Sequence, residues 1–485
     1  MSRAVGPRLA AAALVGLLAG APAAAQVTTH PRAMGLPEAE APRPDPADHR
    51  VELGNGLVAY VAEDRTVPLV TLSAFVNAGY ADDPDGAAEA LAGAYRRGGP
   101  AGMEPSAFHA ALRSMAAEYR VALGPELLEL TLDVPAEDAA AAMALLVRML
   151  LEGPAVTEAD LVAVRQGARA AHGADGEGPR YDGSLDDATA LLRTHLLDGT
   201  AYAPVPDPDA VAGLTLADVD AFRRRYVAAR NVTLAVGGDL PARQARAALG
   251  NLEALPTGTR NERVRDDAPR PRDERILRTY PADKLQGWLV VGTALGPVPR
   301  DDEAALDVMN YILGGGHFDT RLFREARDKR GLTNDASGFL EPATYGPGTY
   351  TFRTYGRPEV VRLLLHLTLR EIEAMRSAPV GEEELFVAKG ALADGVFAIR
   401  YRDGWATARS FAEEHARHGD LSWSATYPGR VRAVTADDVM EAARRYLLPD
   451  AMTGVLIGPL DEIRAAPSLE GEGALADYGR VVPGR

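Results

Sequence analysis

Nine histidines and no cysteine bound the chemistry this chain could perform. Without cysteine there is no thiol nucleophile, no disulfide and no thiolate metal site. The closest histidine pair lies in Glu413-Glu414-His415-Ala416-Arg417-His418. Its spacing is neither H-x-x-E-H nor H-E-x-x-H, the patterns that bring two imidazoles and a carboxylate to zinc from one helix. Glu414 and His418 are one helical turn apart and could pair, and the segment reads as an exposed, charged helix face. No Gly-x-Ser-x-Gly elbow presents a serine nucleophile. What remains is charge: an arginine-rich run, Arg324 to Arg330, follows the glycine triplet Gly314-Gly315-Gly316.

The elements that must position these groups fall into two sets. In the first, Val51 to Asp64 alternates around Asn55-Gly56, a hairpin signal. Leu69 to Ala78 and Leu127 to Val134 read as further strands. The turn Asp82-Asp83-Pro84-Asp85-Gly86 opens a helix that stops at Gly98-Gly99-Pro100. Ala136 to Leu151 reads as an Ala/Leu/Met helix. Pro256 to Arg275 is proline-rich, charged and poor in apolar residues, and reads as a linker. Beyond it the layout recurs. Trp288 to Ala294 is a strand, and Asp301-Asp302-Glu303 opens a helix running into the glycine triplet.

The two sets are related residue by residue. Thr215, Asp218, Val219, Arg224, Arg225, Tyr226, Thr233, Gly238 and Leu240 recur as Thr435, Asp438, Val439, Arg444, Arg445, Tyr446, Thr453, Gly458 and Leu460, at one constant interval without a gap. The expected fold is α+β: two homologous halves, residues 50–255 and 276–464, with helices covering one face of each sheet. Residues 256–275 join them, and 465–485 form a tail.

The start of the sequence is not expected to join the fold. Arg3 and Arg8 precede an apolar run, Leu9 to Leu18, and Ala23-Ala24-Ala25 supplies a small-residue cleavage pattern. Residues 1–25 read as a secretory signal peptide and 26–49 as an extended lead-in. The run is too short for a permanent membrane span. The expected location is outside the cytoplasm, in a bacterial periplasm. The net charge of −16 argues against nucleic acid and anionic membranes as partners.

Two α+β halves and a linker in an exported chain resemble the insulinase-like (pitrilysin) metallopeptidases. The specific residues are Gly314-Gly315-Gly316, Thr320-Arg321-Leu322-Phe323, Arg327-Asp328-Lys329-Arg330-Gly331-Leu332, and Tyr345-Gly346-Pro347-Gly348-Thr349-Tyr350. The resemblance implies two halves closing a clam-like peptidase chamber. It also implies a zinc site, H-x-x-E-H, on the first helix of the first half. There this chain has Glu89 for the first histidine, Ala92 for the general base and Gly93 for the second histidine. The distal glutamate position falls near Ala168-Arg169-Ala170. No cofactor is therefore expected here, and zinc only in a partner. The resemblance further places Arg327 at the family's substrate-polarising arginine and Asn334 where a tyrosine would follow it. Alone, Arg327 reads equally well as a helix-terminal arginine paired with Asp328 or Glu325. The expected role is a non-catalytic subunit that binds peptide or unfolded polypeptide beside a zinc-bearing insulinase-like subunit. The alternative is a stand-alone peptide-binding or chaperone-like protein.

Overall fold

The structure, a computed structural model, describes residues 43–83, 85–173, 183–265 and 269–484. The signal-peptide reading and most of the lead-in lie outside these. The Asn55-Gly56 turn joins β1 (Arg50–Glu52) to β2 (Val58–Glu63) in antiparallel register. With β3 (Leu69–Val76), β4 (Glu118–Leu123), β5 (Leu128–Pro135) and β6 (Val232–Gly238) they form a six-stranded sheet in the order β1-β2-β6-β3-β5-β4. The second half repeats it. Strands β7 (Ile276–Pro281), β8 (Gly287–Leu295), β9 (Ala336–Glu341), β10 (Gly348–Gly356), β11 (Thr453–Gly458) and β12 (Arg480–Pro483) form a sheet in the order β12-β7-β11-β8-β10-β9. In each sheet a parallel pair, β2–β6 or β7–β11, is followed by three antiparallel pairings; the outer strand differs, since β1 joins β2 antiparallel whereas β12 joins β7 parallel.

The repeated sequence is repeated geometry. Thr215 opens helix Leu216–Tyr226 and Thr435 opens helix Ala436–Tyr446, each through a capping box. Asp218 and Asp438 each accept from the threonine hydroxyl at 2.6 Å and its amide at 2.8 Å. These bonds satisfy amides that a helix start otherwise leaves unpaired. Each helix leads to the central strand of its sheet, β6 or β11.

The sheets are buried on both faces, not one. Along β2, Ala59 and Val61 face a core with helices Ala87–Arg97, Ala139–Glu152 and Leu216–Tyr226, whereas Val58, Tyr60 and Ala62 face the other way. That second face is covered by helix Gly404–His418 from the other half, through Ala408, Phe411, Ala412 and Ala416. The loan is returned. Helix Leu185–Leu197 of the first half lays Ala188, Leu192 and Leu196 on Tyr280, Val290, Val455 and Ile457 of the second sheet. Expecting one covered face missed this because the exchanged helices carry their small apolar seam among charged residues. The segment Glu413 to His418 is accordingly no exposed face. Glu414 is buried and accepts from the Ser424 amide at 3.0 Å, rather than pairing with His418. Burial, with Arg260 close to His415 and Arg300 close to His418, pushes both imidazoles down to about 4.

The linker is bonded to the fold. Its Pro256 and Thr257 carbonyls accept from the Ala229 and Arg230 amides. Arg263 donates to both carboxylate oxygens of Asp82 (2.8 and 2.6 Å), to Asn77 Oδ1 and to the Glu126 carbonyl. The buried Glu126 carboxylate accepts from Tyr202 Oη and from the Thr344 and Tyr345 amides. One polar junction thus ties the first half, the linker and the second half.

Phe411 tests the exchange. It is fully buried, with its ring 5.6 Å from Tyr60 and 5.4 Å from Tyr401. Phe411→Ala is expected to cost about 3–5 kcal/mol. Because it joins the halves, denaturant unfolding of the variant, followed by circular dichroism and by tryptophan fluorescence, should keep one common transition. Loss of the second half's signal at unchanged stability of the first would contradict this.

Candidate functional site

Glu89, Ala92 and Gly93 lie on helix Ala87–Arg97, as the sequence placed them. Ala92 is fully buried in the first core. Gly93 shares the less buried side with Glu89, one turn away, and a Cβ there would meet nothing within 4 Å. The loss of the second histidine is therefore not forced by crowding. Ala168 lies on helix Glu158–Ala171, which packs against the Glu89 helix, and it is buried.

Glu89 is not the solvated first-turn carboxylate that its sequence position suggests. Its Oε2 is shielded from solvent and has no hydrogen-bond partner among the described residues. Desolvation pushes its carboxyl up to about 7; the nearby Asp83 charge adds to the rise and its own backbone amide opposes it. Helix-dipole stabilisation is thus outweighed by burial. A single carboxylate beside alanine and glycine does not fit zinc, which takes three protein ligands in a catalytic site. Among the described residues no group of three or more His, Asp or Glu is placed to hold a metal ion.

Arg327 and Asn334 come together in the second half. Helix Arg300–Asn310 widens into a π-helical turn, Tyr311–Gly315. Gly314 is required where this turn meets β9, because a Cβ would lie 2.5 Å from the Gly338 nitrogen. After Thr320 caps helix Arg321–Phe323, a second wide turn, Arg324–Asp328, carries Arg327. The Gly331 amide donates to the Arg327 carbonyl at 2.7 Å and closes that turn. Thr333 Oγ1 accepts from the Asp335 amide and fixes the loop holding Asn334.

Arg327 is exposed and pairs with neither carboxylate considered for it. Glu325 is engaged by Lys329, Arg330 and Arg370. Burial opposes ionisation there, but these three hydrogen bonds hold Glu325 down at about 2. The Arg327 guanidinium instead lies 4.9 Å from the ring centre of Phe323 and 5.8 Å from that of Phe318. Arg327 and Asn334 line one concavity of about 480 Å³ with Gln286, Tyr355 and Arg357. Glu89, Ala92 and Gly93 do not line it. Arg357, Tyr355 and Gln286 were missed by sequence reading. The one local signal was Arg357-Pro358, at the end of a strand.

The comparisons agree with this geometry. Residues 213–392 match the family model described as the peptidase M16 inactive domain. A curated relative, an uncharacterized zinc protease of Streptomyces coelicolor, is 27% identical over 276 residues. That match covers 53% of this chain and 56% of the relative, so the chain spans about half the length of the curated relative it matches. A crystal structure of a peptidase M16 inactive domain from Pseudomonas fluorescens superposes with a TM-score of 0.69 at 23% identity, over 87% of this chain and 99% of that one. A protease from Helicobacter pylori gives 0.68 at 17% identity, over 84% and 99%. The fold is thus that of the M16 inactive-domain structure, and residues 213–392 are similar in sequence to that domain. The insulinase-like resemblance holds; Glu89, Ala92 and Gly93 stand where that resemblance would place the zinc motif.

Two measurements check this site. A chelator-free preparation is expected to contain no stoichiometric zinc by elemental analysis; about one zinc per chain would reveal an unrecognised ligand set. Glu89 gives a pH signature. A carboxyl raised from 4.5 to about 7 on folding penalises the folded state as pH rises through that window, and the penalty is constant above it. Glu89→Gln is expected to stabilise the protein by about 1–3 kcal/mol at pH 8, with the gain vanishing near pH 4. Denaturant titrations at several pH values test the sign; a destabilised variant at pH 8 would place the ionised carboxylate in a favourable site.

Proposed function

We propose that this chain is the non-catalytic subunit of an exported, periplasmic metallopeptidase heterodimer. It holds and encloses peptide substrate while a zinc-bearing insulinase-like partner cleaves it. One observation carries the reading: Arg327 is exposed on an open concavity and has no ion pair among the described residues, while the positions that the resemblance assigns to zinc carry Glu89, Ala92 and Gly93. An exposed arginine lying over aromatic rings can serve a peptide's carbonyl or carboxylate oxygen, and Phe318 and Phe323 hold Arg327 in that way. The match to an inactive domain over 213–392 supports a subunit role. Among the described residues no helix is long and apolar enough to cross a membrane.

The second reading, a stand-alone peptide-binding protein, has its own support. Edge strand β4 leaves every other residue exposed, a geometry to which an extended peptide can add as a further strand. Asn334, in place of tyrosine, also weakens the case for a shared catalytic pair. Purification of the exported chain from its native host separates the two. A zinc-bearing chain of the same fold should accompany it under the first reading, and bound peptide alone under the second.

With a partner in hand, Arg327→Ala is expected to lower kcat of the reconstituted pair by roughly ten- to a thousand-fold, with pairing intact. Arg327→Lys should recover little, because an ammonium cannot reproduce the planar fork. Unchanged turnover in Arg327→Ala would reduce this wall to an architectural role.

A further inference from the structure

We infer that the concavity beside Arg327 receives a peptide carboxylate, with Arg327 and Arg357 as its cationic contacts. The inference rests on the reading of this chain as a peptide-holding protein. The concavity lies where the residue before β8 (Gln286), the end of β10 (Tyr355 and Gly356) with Arg357, and the turn after the wide helical segment (Arg327 to Asn334) converge.

Charge accounting around it is selective. Arg321 and Arg324 are neutralised by Glu384, Arg330 by Glu325 and Glu470, Arg353 by Asp335, and Arg370 by Glu325 and Glu371. Arg327 and Arg357 have no ion pair among the described residues, although acidic residues outnumber basic ones 68 to 52 in the chain. Asp328 is the one acidic residue on the same wall. The lining therefore carries one net positive charge, which a single carboxylate balances.

The geometry around Arg327 favours a planar acceptor. Its guanidinium carbon lies over the Phe318 and Phe323 rings, and its side chain is exposed without a carboxylate partner among the described residues, so its N–H groups are available to a carboxylate, which an arginine meets with two parallel hydrogen bonds. Phe318 is 70% exposed. The neighbouring His317 adopts a left-handed backbone (φ 59°), uncommon for a residue with a side chain, which marks the segment presenting the ring as a constrained one. An apolar ledge beside an arginine fork suits a carboxylate next to an apolar side chain. Asn334 and Gln286 add amide donors where the tyrosine of catalytic relatives would offer one hydroxyl.

The carboxylate could come from a peptide C-terminus or from an acidic side chain, and three labelled peptides of one sequence distinguish these. The first has a free C-terminus and no acidic residue, the second is its C-terminal amide, and the third is the amide with one internal glutamate. Fluorescence polarisation with the full chain at low salt is expected to show one carboxylate-bearing peptide binding about tenfold or more tightly than the acid-free amide. Preference for the first peptide identifies a terminal carboxylate, and preference for the third a side chain. The preference should shrink in high salt and vanish in Arg357→Gln and Arg327→Gln. Arg357 is exposed, so its variant should melt like the parent and carries the test even if the Arg327 variant does not fold. Equal binding of all three peptides, or a preference surviving in Arg357→Gln, would overturn the carboxylate assignment and leave peptide holding intact. Binding of none would overturn both.

Discussion

Everything in this molecule depends on one constraint: each sheet has a second apolar face that its own half cannot cover. A face built from Val58, Tyr60, Phe75 and Ala235 cannot stay in water at acceptable cost, and neither can one built from Tyr280, Val290, Val455 and Ile457. Each is closed by a helix from the other half. The exchange fixes how the halves face one another, because a helix seated on a twisted sheet has few orientations in which its small-residue seam packs densely. At Gly237 the approach is so close that a Cβ would lie 2.4 Å from the Trp405 Cα. The polar junction around Asp82, Arg263 and Glu126 then fixes the path of the linker. An ion pair this deeply buried contributes specificity more than net stability, since desolvation offsets much of the attraction.

On this frame the two halves have diverged in what they present. The first half buries a desolvated carboxyl, Glu89, on the helix where the resemblance would place a zinc site. The second half kept the wide turns and glycine contacts that hold Arg327 at the surface. Of the three motif positions Ala92 belongs to the first core, whereas Gly93 faces open space, so only part of this helix face is fixed by packing.

What the sequence revealed follows from how local each feature is. The Asn55-Gly56 hairpin, the Thr215 and Thr435 caps and the strands leading from them were legible because their causes lie within a few residues. The repeat made the common topology legible as well. The second cover of each sheet was not, because Ala408, Phe411, Ala412 and Ala416 are interleaved with Arg409, Glu413, Glu414 and Arg417, and the charge dominates the pattern. The same limit hid the burial of Glu89, which depends on neighbouring elements. It hid the pairing of Arg263 in a segment that looked like a solvated linker. Arg357 joins Arg327 only through the sheet, across strands β9 and β10 of intervening chain.

The reciprocal loan also orders events in time. Helix Leu185–Leu197 is synthesised before the sheet it will cover, but helix Gly404–His418 follows almost the whole chain that precedes it. Until the ribosome has delivered residue 404 and beyond, the first sheet has an apolar face with nothing to lie on it. The nascent first half is therefore an unfinished body with a sticky side, and its closure is a late contact between segments far apart in sequence. The second sheet waits longer still, since β11 and β12 follow that helix in the chain.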